Sequence, residues 1–330
     1  MYWHWHSIHN SFETYWKGLL SHDLKSNATY EESKIVGAEF KRLSDKLVNL
    51  KKKNDVAVLI SNEALTSLEW FKISDSVNYN TVVRWMYDEL YKLNVGCDFI
   101  NPDTLNLEDY KIIVVPALYS VPDSTLIRLK EYVKNGGRIV VSFKSAVANE
   151  YVKVSYNDQP NILTECCGVT YNQFTVPKNT FISGFDNLKN EDLEIKEWME
   201  LLKPTTAKII SKYEHRNWGD YAAITENNFG KGKAIYIGCF TSKNVLREIY
   251  INLLKQTGLY TDVQKFEFPI IIKNGYNKDN KKVTFYFNYS AEAKTIKYIN
   301  NSGYDLILES EINSEKELNL EPWGLTIVEE

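Results

Sequence analysis

Between residues 55 and 143, short apolar runs alternate with segments of helical apolar spacing, and no other feature restricts the fold as much. The runs fall at 56–60, 97–100, 111–116 and 138–143, with helices expected over 79–93 and 124–133 and a tight turn at Gly136-Gly137. The third run reads Ile112-Ile113-Val114-Val115 before Pro116 breaks it. A strand with no polar face must be covered on both sides, and the strand–helix alternation supplies the cover. The expectation is an α/β domain built on a parallel sheet.

The pattern weakens over 145–230, with faint strand signals at 169–174 and 207–211. It returns at Gly230-Lys231-Gly232-Lys233, a tight turn into a strand at 234–238 and a helix at 244–256. That turn lacks the Gly-x-x-x-x-Gly-Lys-Ser/Thr spacing of a phosphate loop. After residue 262, short alternating runs at 269–273, 283–289, 295–298, 305–308 and 324–328 predict a small antiparallel β-sandwich. Before residue 54 the aromatic and histidine alternation Tyr2 to His6 has strand character. Thr29 and Glu32 have capping-box spacing, and Ile35, Phe40, Leu43, Leu47 and Leu50 predict a helix to about Lys52, with Lys51, Lys52 and Lys53 as cations at its end. One strand and one helix cannot bury both faces of the strand, so 1–53 is not a domain by itself. The organisation read from the sequence is 1–53, 54–262 and 263–330.

With 44% hydrophobic and 25% charged residues, the chain has the make-up of a soluble globular protein. A net charge of −4 without a long single-sign block gives no electrostatic reason to expect nucleic acid or an anionic membrane as partner. No run approaches the roughly 20 apolar residues of a membrane span. The four cysteines include no CxxC pair, and residues 1–25 lack a basic segment followed by an apolar run, so the expected location is a reducing cytoplasm. Three glycosylation sequons, at Asn27, Asn288 and Asn300, are read as chance matches. No cofactor is expected. His4, His6 and His9 invite a metal site, but His22 and His215 complete no cluster with them, so no metal is expected either.

The segment Tyr2-Trp3-His4-Trp5-His6-Ser7-Ile8-His9-Asn10-Ser11-Phe12-Glu13-Thr14-Tyr15-Trp16-Lys17-Gly18-Leu19-Leu20-Ser21-His22-Asp23 is similar to the eighth strand and following loop of the family 42 β-galactosidase barrel. Residues 110–119, 129–143 and 230–238 resemble the strands and turns of that family's assembly domain, and Phe285 to Ser290 with Leu320 to Gly324 resemble its closing β segments. The resemblance implies a TIM-barrel remnant over 1–53 (last strand, loop and helix), a flavodoxin-like α/β trimerisation domain over 54–262 that also resembles glutamine amidotransferase domains, and a C-terminal β-sandwich over 263–330. It further implies a homotrimer and a β-galactoside substrate.

It also implies site residues. Glu13 matches the glutamate that hydrogen-bonds the galactose hydroxyls, and Trp5 matches the strand tryptophan. Trp16 stands where the family more often has a sugar-contacting histidine. An aromatic face can stack on the C–H face of a sugar while a carboxylate takes its hydroxyls, although the same aromatics suit core packing. A retaining glycosidase needs two carboxyl groups about 5 Å apart. In the family these come from the fourth and seventh barrel strands, both ahead of the match to Tyr2, so no catalytic residue is carried over. The rival enzyme class, an amidotransferase, needs a nucleophilic cysteine on a strand-to-helix turn, and Cys239 is the nearest candidate.

Overall fold

The apolar runs form β1 (Val56–Leu59), β2 (Cys97–Ile100), β3 (Ile112–Val115) and β4 (Arg138–Ser142). They lie parallel in the order β2-β1-β3-β4, with Gly232–Ile237 parallel to β4 on the far side. Registers such as Val56 opposite Ile112 and Ile235 opposite Val140 keep the apolar residues in rows. Because side chains alternate across a strand, each strand feeds two cores. On one face Val56, Val58, Ile112, Val114 and Val140 pack with residues of α2 (Asn62–Trp70), α3 (Tyr79–Lys92) and the helix Lys243–Thr257. On the other face Ala57, Leu59, Ile113, Val115, Ile139 and Val141 pack with Leu126, Leu129 and Val133 of α4 (Asp123–Lys134). This is the two-sided cover that the sequence demands.

Past Gly232–Ile237 the sheet continues antiparallel through Ala222–Phe229, Lys208–Glu214, Thr180–Ile182, Glu194–Glu200 and Cys239–Phe240. The result is a mixed α/β architecture with one large sheet, part parallel and part antiparallel. All of this belongs to one of two units into which the chain divides, Lys53–Lys273 with Phe287–Ala291. The other unit comprises Met1–Lys52, Asn274–Tyr286 and Glu292–Glu330. The structure, a computed structural model, describes residues 4–14 and 18–330.

In the second-named unit, the strand portions 274–276 and 282–286 are followed in one sheet by Leu325–Glu329, Gly303–Asp305 and Ser310–Ile312. Lys294–Lys297 and Glu317–Leu320 form a separate antiparallel pair. Helix α1 (Ala28–Leu47) packs in the same unit. Its Leu43 is buried with Val283, Leu306 and Ile327, and Leu47 and Leu50 close over the same cluster. Arg42 reinforces this by donating to the Leu306 carbonyl at 2.8 Å and to Glu309 at 2.7 Å, and Lys46 pairs with Glu329 at 3.0 Å.

Three expectations for this region are corrected. The cap of α1 is Asn27, whose side chain accepts from the Tyr30 amide, so the Thr29–Glu32 spacing is not the capping box. An Asn two residues upstream offers the same acceptor and wins the position. The helix stops at Leu47, so Lys51–Lys53 do not end it; Lys51 instead exchanges two backbone hydrogen bonds of 2.8 Å with Tyr276. Residues 4–6 make no strand, only a single bridge from His6 to Leu20, and His4 has a left-handed φ of 60° that breaks any extended run. Leu19 and Leu20 do donate to the His4 and Trp5 carbonyls, but the left-handed backbone at His4 confines the pairing to that one bridge.

Candidate functional site

Two places collect chemistry-bearing side chains, and each is described within its own unit. The first is the segment around Glu13. Ser7 anchors it: its amide and hydroxyl both donate to the Leu20 carbonyl, at 3.0 and 3.1 Å, while Leu20 donates to the Trp5 carbonyl at 3.0 Å. Asn27, besides capping α1, donates to the Leu19 carbonyl and to Ser21. Gly18 is required where the two arms touch, since a Cβ there would lie 2.3 Å from the His6 carbonyl carbon.

On this frame Trp5 is 62% exposed and meets Tyr30 edge-on at 6.4 Å. Glu13 is exposed, on the turn next to Phe12, itself 85% exposed. Trp16 lies outside the described residues. The expected division of Trp5 from the histidines by strand alternation does not hold, because the backbone is not extended at His4. His6, His9 and His22 gather instead, with ring centroids 5.5 and 5.6 Å apart in sequence order. His22 Nε2 lies 2.8 Å from the Thr14 carbonyl and His6 Nδ1 lies 2.8 Å from that of Ser7. Among the described residues no group of three His, Cys, Asp or Glu side chains is placed to hold a metal.

The second place lies in the larger unit, at the carboxyl end of β4, and sequence reasoning missed it. Glu200 is 1% exposed. Its Oε1 accepts from the Lys144 amide at 2.8 Å and the Trp198 indole at 3.3 Å, and its Oε2 from the Tyr236 hydroxyl at 2.9 Å. Burial pushes its carboxyl up to about 7, with the hydrogen bonds from Lys144, Tyr236, Trp198 and Tyr171 opposing that rise. Lys144 has a left-handed φ of 59°, and its ammonium sits 4.3 Å from the Trp198 ring centre and 5.4 Å from that of Tyr119. Burial lowers that ammonium's pKa, while the charge of Glu200 raises it. The available signal was local: Trp198 and Glu200 are two apart on one strand, a spacing that puts them on one face.

Cys239 borders this cluster and is fully buried. Burial pushes its thiol far up, despite a hydrogen bond with Tyr213 that pulls the other way. A nucleophilic cysteine needs the opposite, an accessible thiolate. The remaining buried acids are likewise committed: Glu89 to Lys92 at 2.8 Å, Asp305 to the amides of Ile307 and Leu308, and Glu329 to Lys46, Lys281 and Asn277.

Comparison with known proteins bears on both places. A family model described as the beta-galactosidase trimerisation domain matches residues 54–260. The chain is 27% identical over 338 residues to beta-galactosidase BgaA of Clostridium cellulovorans, covering 98% of the chain and 48% of that relative. It is 27% identical over 277 residues to beta-galactosidase BgaB of Geobacillus sp., covering 81% of the chain and 41% of that relative. The chain thus spans less than half the length of these curated relatives. Its fold is similar to that of a beta-galactosidase from Bacillus circulans sp. alkalophilus, with a TM-score of 0.87 at 22% identity, over 97% of this chain and 48% of that one.

Proposed function

Because the chain belongs to the beta-galactosidase trimerisation domain family, we propose that it is the C-terminal, assembling portion of a family 42 β-galactosidase and that it associates as a homotrimer. On this reading the intact enzyme releases terminal β-galactose by a retaining double displacement. The two carboxylates for that chemistry are supplied from outside this sequence, and the chain alone does not hydrolyse galactosides. Glu13, Trp5 and Trp16 complete the sugar site from its rim. Lone aromatics and one exposed glutamate on an open turn exclude no water and hold no sugar in place by themselves.

The match over 54–260 carries this reading. The parallel order β2-β1-β3-β4 followed by Gly232–Ile237 supports a flavodoxin-like domain there. Helix α1 supports a barrel remnant over 1–53: Ile35 is 71% exposed and Phe40 67% exposed, on a helix whose Leu43 is buried. Large apolar side chains left open to water in this way are the kind of surface that another element covers. Four free cysteines fit a reducing cytoplasm, and among the described residues no helix is long and apolar enough to cross a membrane.

Light scattering tests the assembly. A particle of three times the chain mass at micromolar concentration is the expected result, and a monodisperse monomer contradicts it.

A further inference from the structure

The larger unit holds a cleft of about 640 Å³ at the amino-terminal edge of the parallel strands, away from the Glu200 cluster at their carboxyl ends. Its volume falls in the range of small-molecule sites. Tyr110 and Tyr132 line it with Lys111, Arg128 and Arg138. The Gly136-Gly137 turn shapes one wall. A Cβ on Gly137 would lie 2.2 Å from the Tyr132 ring, so glycine there lets the tyrosine lie against the backbone, and the Tyr132 hydroxyl donates to the Tyr110 carbonyl at 3.0 Å.

The three cations are not equivalent. Arg128 is spent on the backbone, donating to the Thr104 carbonyl at 2.8 Å and to that of Pro102. Lys111 pairs with Asp55 at 3.4 Å. Arg138 forms no ion pair among the described residues, and its Nε–H is enclosed without an acceptor. Two acids also line the cleft: Glu131, which Lys134 holds at 3.5 Å, and Glu108. An enclosed donor without a partner is unfavourable, and so a turn of the guanidinium toward the cleft is favoured once an acceptor is there.

We propose that this cleft binds a small oxyanion, with the Arg138 guanidinium as its two-pronged anchor. The geometry that suits an arginine fork is a pair of oxygens on one carbon or phosphorus, so the ligand class is a carboxylate or a phosphate. The tyrosine walls favour one attached to a ring or an apolar body.

Calorimetric titration of the full chain with D-galacturonate and, separately, with inorganic phosphate tests it. Saturable one-to-one binding of either probe is expected, the carboxylate arm or the phosphate arm identifying the source. Arg138→Gln is expected to weaken it by about tenfold or more with the thermal midpoint unchanged, since a charge-assisted pair is lost. If that variant does not fold, Arg138→Lys keeps the charge and loses the fork, and it too is expected to bind more weakly. Absence of saturable binding for both probes, or undiminished binding in a folded Arg138 variant, overturns the proposal.

Discussion

Gly232→Ala is expected to lower the thermal midpoint of the chain by about 10 °C, a large effect for one added methyl group. The reason is backbone, not side chain. A Cβ at this position would lie 2.1 Å from the Val133 carbonyl oxygen and 2.2 Å from that of Gly137, so the end of α4 and the start of its following turn would have to move together. Both are pinned: the Gly137 amide donates to the Tyr132 carbonyl at 2.9 Å, and Lys231 donates to the Lys134 carbonyl at 2.9 Å. Separating them costs about 3–4 kcal/mol, and for a unit of this size each 1 kcal/mol is worth about 2–4 °C. Gly258→Ala is the control. Unlike Gly232 it has a left-handed φ, 69°, and nothing lies within 4 Å of the added atom, so only the backbone penalty of about 1 kcal/mol applies. Scanning calorimetry of the two variants distinguishes packing from conformation, and equal midpoints would contradict a turn held by close backbone approach.

Glu200 predicts the second large effect, in pH dependence. Its carboxyl is pushed up to about 7 in the fold from an ordinary 4.5, because burial disfavours the charged form. A raised acid binds its proton more tightly when folded. Its stabilising contribution is therefore complete below about pH 4.5, shrinks as the unfolded chain releases the proton, and is gone above about pH 7. The span of about 2.5 units corresponds to about 3 kcal/mol. Other carboxylates titrate with the opposite sign, Glu197 among them, held low by hydrogen bonds from Ser74 and Ser76. The test is accordingly a difference. Against the parent chain, Glu200→Gln should gain about 3 kcal/mol of relative stability between pH 4.5 and 7.5 in denaturant melts, on top of a constant offset for altered hydrogen bonds. A difference that stays flat across that window would mean the carboxyl is not buried in its neutral form.

Much of the sheet was legible because its cause is local. Runs such as Ile112-Ile113-Val114-Val115 carry their own two-sided burial, and β2 falls at Cys97–Ile100 as the sequence predicts. Most of the antiparallel half, apart from Lys208–Glu214 where the faint signal at 207–211 falls, was illegible for the complementary reason. Glu194–Glu200, reading EIKEWME, is rich in helix formers, and Ala222–Phe229 carries Thr225, Glu226, Asn227 and Asn228. Those residues become strands only because neighbouring strands are there to take their hydrogen bonds, an override of intrinsic preference. Helix α2 left a signal that was passed over: Ser61 caps it by accepting from the Ala64 amide.

The candidate sites divide along the same line. Trp5 and Glu13 were singled out by a motif, and the fold leaves both on an open surface. Glu200 sits in a segment with no motif, and only the folding of β4, Glu194–Glu200 and Gly232–Ile237 brings Lys144, Trp198 and Tyr236 to its carboxylate. Chemistry assembled from distant strands leaves little trace in local spacing.

Initial-rate hydrolysis of p-nitrophenyl β-D-galactoside by the purified chain tests the central claim most directly. The expected result is no release of p-nitrophenol above the uncatalysed rate, for the parent chain and for Glu13→Ala alike, because on the proposed reading Glu13 is the one carboxylate that the chain brings to the sugar and the displacement takes two. Turnover by this chain alone, unassisted by any other polypeptide, would contradict it.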